Sequence, residues 1–214
     1  MRLALHGYWR SSCSWRVRIA LEHKGLDYEY VAVHLVQDGG VQHSEAHRAI
    51  NPMRQVPVLV ADGVPMGQSM AILEYLEETA PDQPLLPSDP VQRARVRQIA
   101  ETINSGIQPL QNLAVIQKLR SDASLDKAAV QAWCRDWITR GFVAVEALVK
   151  AHGAAYCVGD TVSLADVCLV PQLYNGRRFD VDLSAFPTLL QVEARLNELP
   201  AFVAAAPDQQ PDAG

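Results

Sequence analysis

The densest chemistry in the chain lies near its start, in the run Tyr8-Trp9-Arg10-Ser11-Ser12-Cys13-Ser14-Trp15-Arg16-Val17-Arg18-Ile19-Ala20-Leu21. Ser11, Ser12 and Cys13 fall between a strand-like apolar run and a helical pattern. Their small hydroxyl and thiol groups therefore stand beside backbone N–H groups that the first helical turn leaves unpaired, at the positive end of the helix dipole. Such a place stabilises an anion. A thiolate held there has its pKa lowered, and the thiolate is the reactive form of a thiol. The same residues also read more plainly, with Ser11 or Ser12 as an N-cap and Cys13 as a core side chain.

Two further segments carry polar groups of the same kind. In Asn51-Pro52-Met53-Arg54-Gln55-Val56-Pro57-Val58-Leu59, proline cannot donate to a sheet ladder, so Pro57 at a strand start predicts a rigid turn, with a cis bond as one form of it. That turn leaves the backbone groups of Val56 to pair with an extended, peptide-like ligand. Gly67-Gln68-Ser69 opens a helix, where Ser69 either caps it or binds a carboxylate. Other conspicuous residues have structural readings. Ser163 and Asp166 fit a capping box, Trp133 and Trp137 suit core or interface anchors, and Glu74, Glu77 and Glu78 form a solvated acidic face. Arg16 and Arg18 lie in the first helix, where one of them is expected to pair with an acidic neighbour. The cysteines Cys13, Cys134, Cys157 and Cys168 form no C-x-x-C pair and no zinc-like spacing with histidine, so free thiols and no metal are expected.

The elements that must position these groups follow from periodicity. Residues 2–6 read as a strand, 15–24 as a helix closed by Gly25, 28–35 as a strand, 44–50 as a weak helix, and 56–60 and 64–66 as a hairpin about Asp62-Gly63. Residues 69–79 read as a helix, which completes a β-α-β-α-β-β-α order. Four prolines in 80–90 mark a linker. Beyond it the patterns are helical: 91–119 with a bend at Gly106 and Pro109, then 125–152, 163–174 and 187–199. The tail, 207–214, lacks apolar anchors and reads as loose. The expected division is an α/β domain over 1–80, a linker over 81–90 and an all-α domain over 91–214.

Composition narrows the function classes. The chain has 214 residues, about half of them apolar, with 19 Lys plus Arg against 24 Asp plus Glu, a net charge of −5. That length and apolar content exclude a disordered chain. The acidic balance gives no general field for nucleic acid or an anionic bilayer, so an anionic ligand must find a local basic site. No apolar run is long enough for a membrane span or a signal-peptide core, and a cytosolic protein is expected.

The ordered motifs S-S-C-S-W-R-V-R-I-A-L, N-P-M-R-Q-V-P-V-L, Q-S-M-A-I-L-E-Y-L-E-E, I-Q-P-L-Q-N-L and Y-C-V-G-D-x-V-S-L-A-D-V-C-L-V-P-Q together resemble the zeta class of glutathione transferases, over about residues 3–211. The resemblance implies a thioredoxin-like N-terminal domain that binds glutathione as cofactor, an all-α C-terminal domain that helps shape the substrate pocket, and a homodimer. The implied activity is the glutathione-dependent isomerisation of maleylacetoacetate to fumarylacetoacetate in tyrosine and phenylalanine (homogentisate) breakdown. Isomerisation of maleylpyruvate or transfer to haloacids at the same site are the near alternatives; a redox role for Cys13 and a non-catalytic binding module are the distant ones. Carried over by position, the catalytic motif falls on Ser11, Ser12 and Cys13, with Ser11 donating to the thiolate and Tyr8 as an alternative activator. Glutathione contacts fall on those three and on Gln42, Val56, Gln68 and Ser69, with Gln108, Asn112, Leu113 and Ala114 from the helical half. Likeness to isomerases of maleyl keto acids implies Arg10 and Arg178 as the clamp for a dicarboxylate substrate, since guanidinium binds carboxylate bidentately and stays charged; surface roles for Arg177 and Arg178 are the alternative.

Overall fold

The structure is a computed structural model that describes residues 1–213. It divides into two compact units: Met1–Pro84 joined by the segment from Asn197 onward, and Leu85–Leu196.

The first unit is built on a four-stranded sheet in the order β2-β1-β3-β4, from β1 (Leu3–Gly7), β2 (Glu29–Ala32), β3 (Val58–Ala61) and β4 (Val64–Gly67). β1 runs parallel to β2 and antiparallel to β3, and β3 pairs antiparallel with β4. Asp62 and Gly63 turn the hairpin with φ of 48° and 86°, the left-handed backbone that an Asp-Gly pair supplies at little cost. Helices α1 (Ser12–His23), α2 (Glu45–Ile50) and α3 (Ser69–Thr79) complete the pattern expected from the sequence. Their buried faces, with Val17, Ile19 and Leu21 from α1 and Ile72, Leu73 and Leu76 from α3, share a core with Leu5, Val58 and Leu59 of the sheet.

Three expectations need correction here. α1 starts at Ser12, three residues before the apolar period, because Ser11 caps it by accepting from the Ser14 amide at 3.2 Å. Glu77 is no solvated surface acid: its carboxylate meets the buried Lys24 ammonium at 2.6 Å, and Lys24 also donates to the carbonyls of Ala80 and Gln83. The tail is neither loose nor part of the helical half. α9 (Pro200–Ala204) and the residues after it pack on the first unit, with Phe202 and Ala205 as apolar anchors. Arg18 donates to Ala205 O, and Asp212 accepts from the Trp9 amide and the Tyr30 hydroxyl. The expected 91–214 domain therefore gives up its last residues, because these polar anchors are invisible to apolar periodicity.

The second unit is all helical. The expected single helix over 91–119 is broken rather than bent. α4 (Pro90–Asn104) ends before Gly106, a turn of 3₁₀ helix spans Gln108–Gln111 with Pro109 inside it, and α5 (Leu113–Ser121) starts afresh under an Asn112 cap. In α6 (Lys127–His152) the buried Val130, Cys134, Ile138, Phe142, Val145 and Val149 recur at steps of three and four, so one stripe faces the core. α7 (Leu164–Arg178) is buried along most of its length. The Ser163–Asp166 capping box is present, and Asp166 also accepts from the Cys157 amide at 2.9 Å. α8 (Pro187–Leu196) is fastened to α6 through Glu146, which accepts from the amides of Thr188 and Leu189.

Candidate functional site

Strand register brings the three polar segments of the first unit to one end of the sheet. His6 near the end of β1 pairs with Val58 at the start of β3, and Val58 pairs with Gly67 at the end of β4. The turn after β1 (residues 8–11), the approach to β3 (Val56-Pro57) and the exit of β4 (Gln68-Ser69) consequently share that end. The two helix starts are joined directly, since Arg16 of α1 donates to the Ser69 hydroxyl at 3.2 Å.

At the head of α1, Ser11 spends a lone pair on the Ser14 amide and its carbonyl on the Trp15 amide. Its hydroxyl proton has no acceptor among the described residues, nor do the amides of Ser12 and Cys13. A capping serine in this state remains a donor. Together these groups form a small positive nest at a helix dipole's positive end, suited to a thiolate. Ser12 is buried and Cys13 is half-buried. The capping reading and the anion reading of Ser11 are thus compatible, because they use opposite ends of one hydroxyl group.

Val56 precedes a cis bond to Pro57 and lies just outside β3. Its amide and carbonyl make no hydrogen bond among the described residues, whereas the Gln55 carbonyl beside it is taken by Asn51 and by the ring of the buried His47. An extended peptide is the natural partner for such an unpaired backbone pair. At the β4–α3 junction, Gln68 takes the N-cap position with φ of 69°, in the left-handed region that a non-glycine residue enters at a cost. Ser69 is therefore not the cap, as one reading held, but the first residue of α3, with its buried hydroxyl on Arg16. Gln42 is also buried; its amide nitrogen donates to Leu35 O while Oε1 has no partner among the described residues. An unpaired backbone pair, an orphaned acceptor and donor amides at a helix start fit a zwitterionic tripeptide thiol.

Arg10 lies in the turn ahead of Ser11, its guanidinium 5.2 Å from the centre of the Trp9 ring. The remaining expected residues belong to the second unit. Gln108 opens the 3₁₀ turn, Asn112 caps α5 by accepting from the Ala114 amide at 3.0 Å, and Leu113 and Ala114 are the first residues of that helix. These four form one stretch at the α4–α5 break. At the end of α7 the two arginines part company. Arg177 holds Glu193 bidentately at 2.6 and 2.5 Å, which makes it structural. Arg178 is exposed, donates to Asn175 and lies 5.4 Å from the centre of the Phe179 ring. Burial pushes the Cys134 thiol up to about 11, against the opposing pull of the nearby Arg178 and Arg120 charges.

Arg16 and Arg18 carry more of the site than the sequence suggested. Arg18 donates to the carbonyls of Tyr8, Trp9 and Ala205, and the Asp212 carboxylate stands near enough to favour its charged form against the cost of burial. Asp212 was not anticipated at all. Its distance from the motif along the chain hides it, and a lone aspartate in a polar tail carries no signal of its own.

Comparison with known proteins places this arrangement among relatives. The family profile "Glutathione S-transferase, N-terminal domain" matches residues 10–79, and "Glutathione S-transferase, C-terminal domain" matches residues 116–200. The maleylacetoacetate isomerase of Rattus norvegicus is 52% identical over 208 residues, covering 97% of this chain and 94% of that protein. A solved maleyl pyruvate isomerase, described as a bacterial glutathione S-transferase of the zeta class, matches with a TM-score of 0.95 and 44% identity over 99% of this chain and 100% of that one. The maleylacetoacetate isomerase of Anaeromyxobacter dehalogenans, solved with GSH bound in its active site, gives 0.89 and 49% over 100% and 98%.

Proposed function

The chain belongs to the glutathione S-transferase family, in its zeta class, and on that premise we propose that it isomerises maleylacetoacetate to fumarylacetoacetate with glutathione as cofactor. The observation that carries this is the free Val56 backbone sharing one sheet end with the unpaired amides of Ser12 and Cys13 and the free Ser11 proton. When bound, glutathione supplies a thiolate that adds reversibly to the conjugated carbon, lowering the order of the cis double bond so that it can rotate.

The chain's own groups hold and poise that cofactor. Val56 pairs with its peptide backbone, Gln68 and Ser69 receive the γ-glutamyl carboxylate, and Gln42 offers an acceptor. Ser11 donates to the sulfur, while the amides of Ser12 and Cys13 favour its anionic form. From the second unit, Gln108, Asn112, Leu113 and Ala114 contribute further contacts. Arg10 and Arg178 receive the two substrate carboxylates, and in an acidic protein such a confined positive potential serves an anionic substrate. In this reading the first unit binds glutathione and the second shapes the substrate pocket. The enzyme works as a cytosolic homodimer in tyrosine and phenylalanine breakdown.

Maleylpyruvate is the second reading, favoured by the 0.95 TM-score to an isomerase of that substrate. Purified protein supplied with glutathione and each maleyl keto acid in turn separates the two. Higher kcat/KM on maleylacetoacetate supports the first, higher kcat/KM on maleylpyruvate the second, and no conversion of either contradicts both.

A further inference from the structure

The turn that presents Ser11 is fastened from two sides, and one of the fastenings is the far end of the chain. Tyr8 O accepts from Ser11 N at 2.9 Å, which closes a four-residue turn with Trp9 and Arg10 at its centre. On the helix side, the fully buried Arg18 donates to Trp9 O at 2.9 Å and to Tyr8 O at 3.5 Å, and the Ser14 hydroxyl accepts from Tyr8 N. On the other side, Asp212 Oδ2 accepts from Trp9 N at 3.0 Å and from the Tyr30 hydroxyl at 3.3 Å. The second oxygen of Asp212 is buried with no partner among the described residues. A half-buried carboxylate that spends one oxygen on a main-chain amide of the turn and keeps the other buried without a partner among the described residues is costly to keep as mere tail packing. Arg18 also donates to Ala205 O, so one guanidinium bridges the turn and the tail.

We propose that Asp212 is a positioning residue for thiol activation, the tail fixing through Trp9 the turn that aims the Ser11 hydroxyl and carries Arg10. This rests on the glutathione reading of the site. Both backbone polar groups of Trp9, at the centre of the turn, are taken up: its carbonyl by Arg18 and its amide by Asp212. Losing Asp212 leaves Trp9 N–H without its acceptor, and the turn gains freedom two residues ahead of Ser11. A hydrogen bond to an anion loses strength steeply with misalignment, so the thiol rather than glutathione affinity bears the cost.

The test compares wild type, Asp212→Ala and Asp212→Asn by ultraviolet titration of bound glutathione and by the pH profile of isomerisation. Asp212→Ala is expected to raise the bound-thiol pKa, to move the profile toward alkaline pH and to lower kcat at neutral pH about tenfold, with a smaller change in KM for glutathione. Near the alkaline end its rate returns toward wild type. Asp212→Asn keeps an acceptor for Trp9 and recovers most of the loss. Should Asp212→Ala lose thermal stability while its folded fraction keeps the wild-type thiol pKa and profile, the inference is overturned. An Asp212→Asn protein as impaired as the alanine variant also overturns it. Wild-type protein that fails to lower the thiol pKa of glutathione overturns the site reading itself, and this inference with it.

Discussion

Replacing Ser11 by alanine removes two interactions whose sizes can be separated. As N-cap, the Ser11 hydroxyl accepts from the Ser14 amide at 3.2 Å, and losing that bond costs about 1 kcal/mol of stability. For a chain of 214 residues this is a Tm drop of roughly 2–4 °C. As donor, the same hydroxyl stabilises a thiolate, and a hydrogen bond to a charged group is worth about 1.5–3 kcal/mol. At about 1.4 kcal/mol per pKa unit, the bound thiol should rise by roughly 1–2 units. At neutral pH, kcat/KM then falls about tenfold to a hundredfold, and the loss shrinks as pH rises past the new thiol pKa. Ser11→Thr keeps donor and acceptor and should retain most of the activity. Cys13→Ala should leave the bound-thiol pKa within about half a unit, since the backbone amide at that position survives the substitution. The assay is ultraviolet titration of bound glutathione alongside the pH–rate profile. An unchanged thiol pKa in Ser11→Ala would refute the reasoning. Loss of turnover in Cys13→Ala with Ser11→Ala intact would move the chemistry to the cysteine.

Three further outcomes follow from other parts of the molecule. Glu77→Ala strands the buried Lys24 ammonium on two carbonyls, and should cost about 3 kcal/mol, seen as a Tm drop of roughly 6–12 °C; a drop under about 2 °C would show the pair to be dispensable. Arg10→Ala and Arg178→Ala should each raise KM for the dicarboxylate about tenfold with glutathione binding unchanged, whereas Arg177→Ala, which breaks the bidentate pair to Glu193, should lower stability and leave KM alone. Burial, helped by the neighbouring His47 and Lys24 charges, holds His6 and His23 below their ordinary 6.5. The unfolded chain then takes up protons first as pH falls, so the urea midpoint should drop between about pH 7.5 and about pH 5.5, and less steeply in His23→Gln; a pH-independent midpoint would contradict this.

Periodicity placed the sheet, the Asp62-Gly63 hairpin and the helices because apolar spacing reports burial along a local segment. It misjudged features set by distant polar partners. The break between α4 and α5 was read as a bend because Gly106 and Pro109 signal a disturbance without its extent. Glu77 reads as a surface acid until Lys24 of another helix is brought against it. The tail has few apolar residues, yet it is fastened by Asp212 and by Arg18. In the candidate site, the placement of Ser11, Val56 and Ser69 at the ends of elements was legible from residue type and position, although Ser69 proves to be the first residue of α3 and not its cap. What no spacing conveys is which spare groups stay spare. The Gln55 carbonyl is taken up and those of Val56 are not, a difference that exists only once α2 and its His47 pack against the loop.

The central claim is that this chain uses glutathione as a cofactor for isomerisation and does not consume it. Maleylacetoacetate should be incubated with the protein at substoichiometric glutathione, with product geometry and free thiol followed together. Many turnovers to the trans product per glutathione, full recovery of the free thiol and no conversion in its absence are the predicted result. Conversion without glutathione, or product limited to one equivalent of thiol lost, would contradict it.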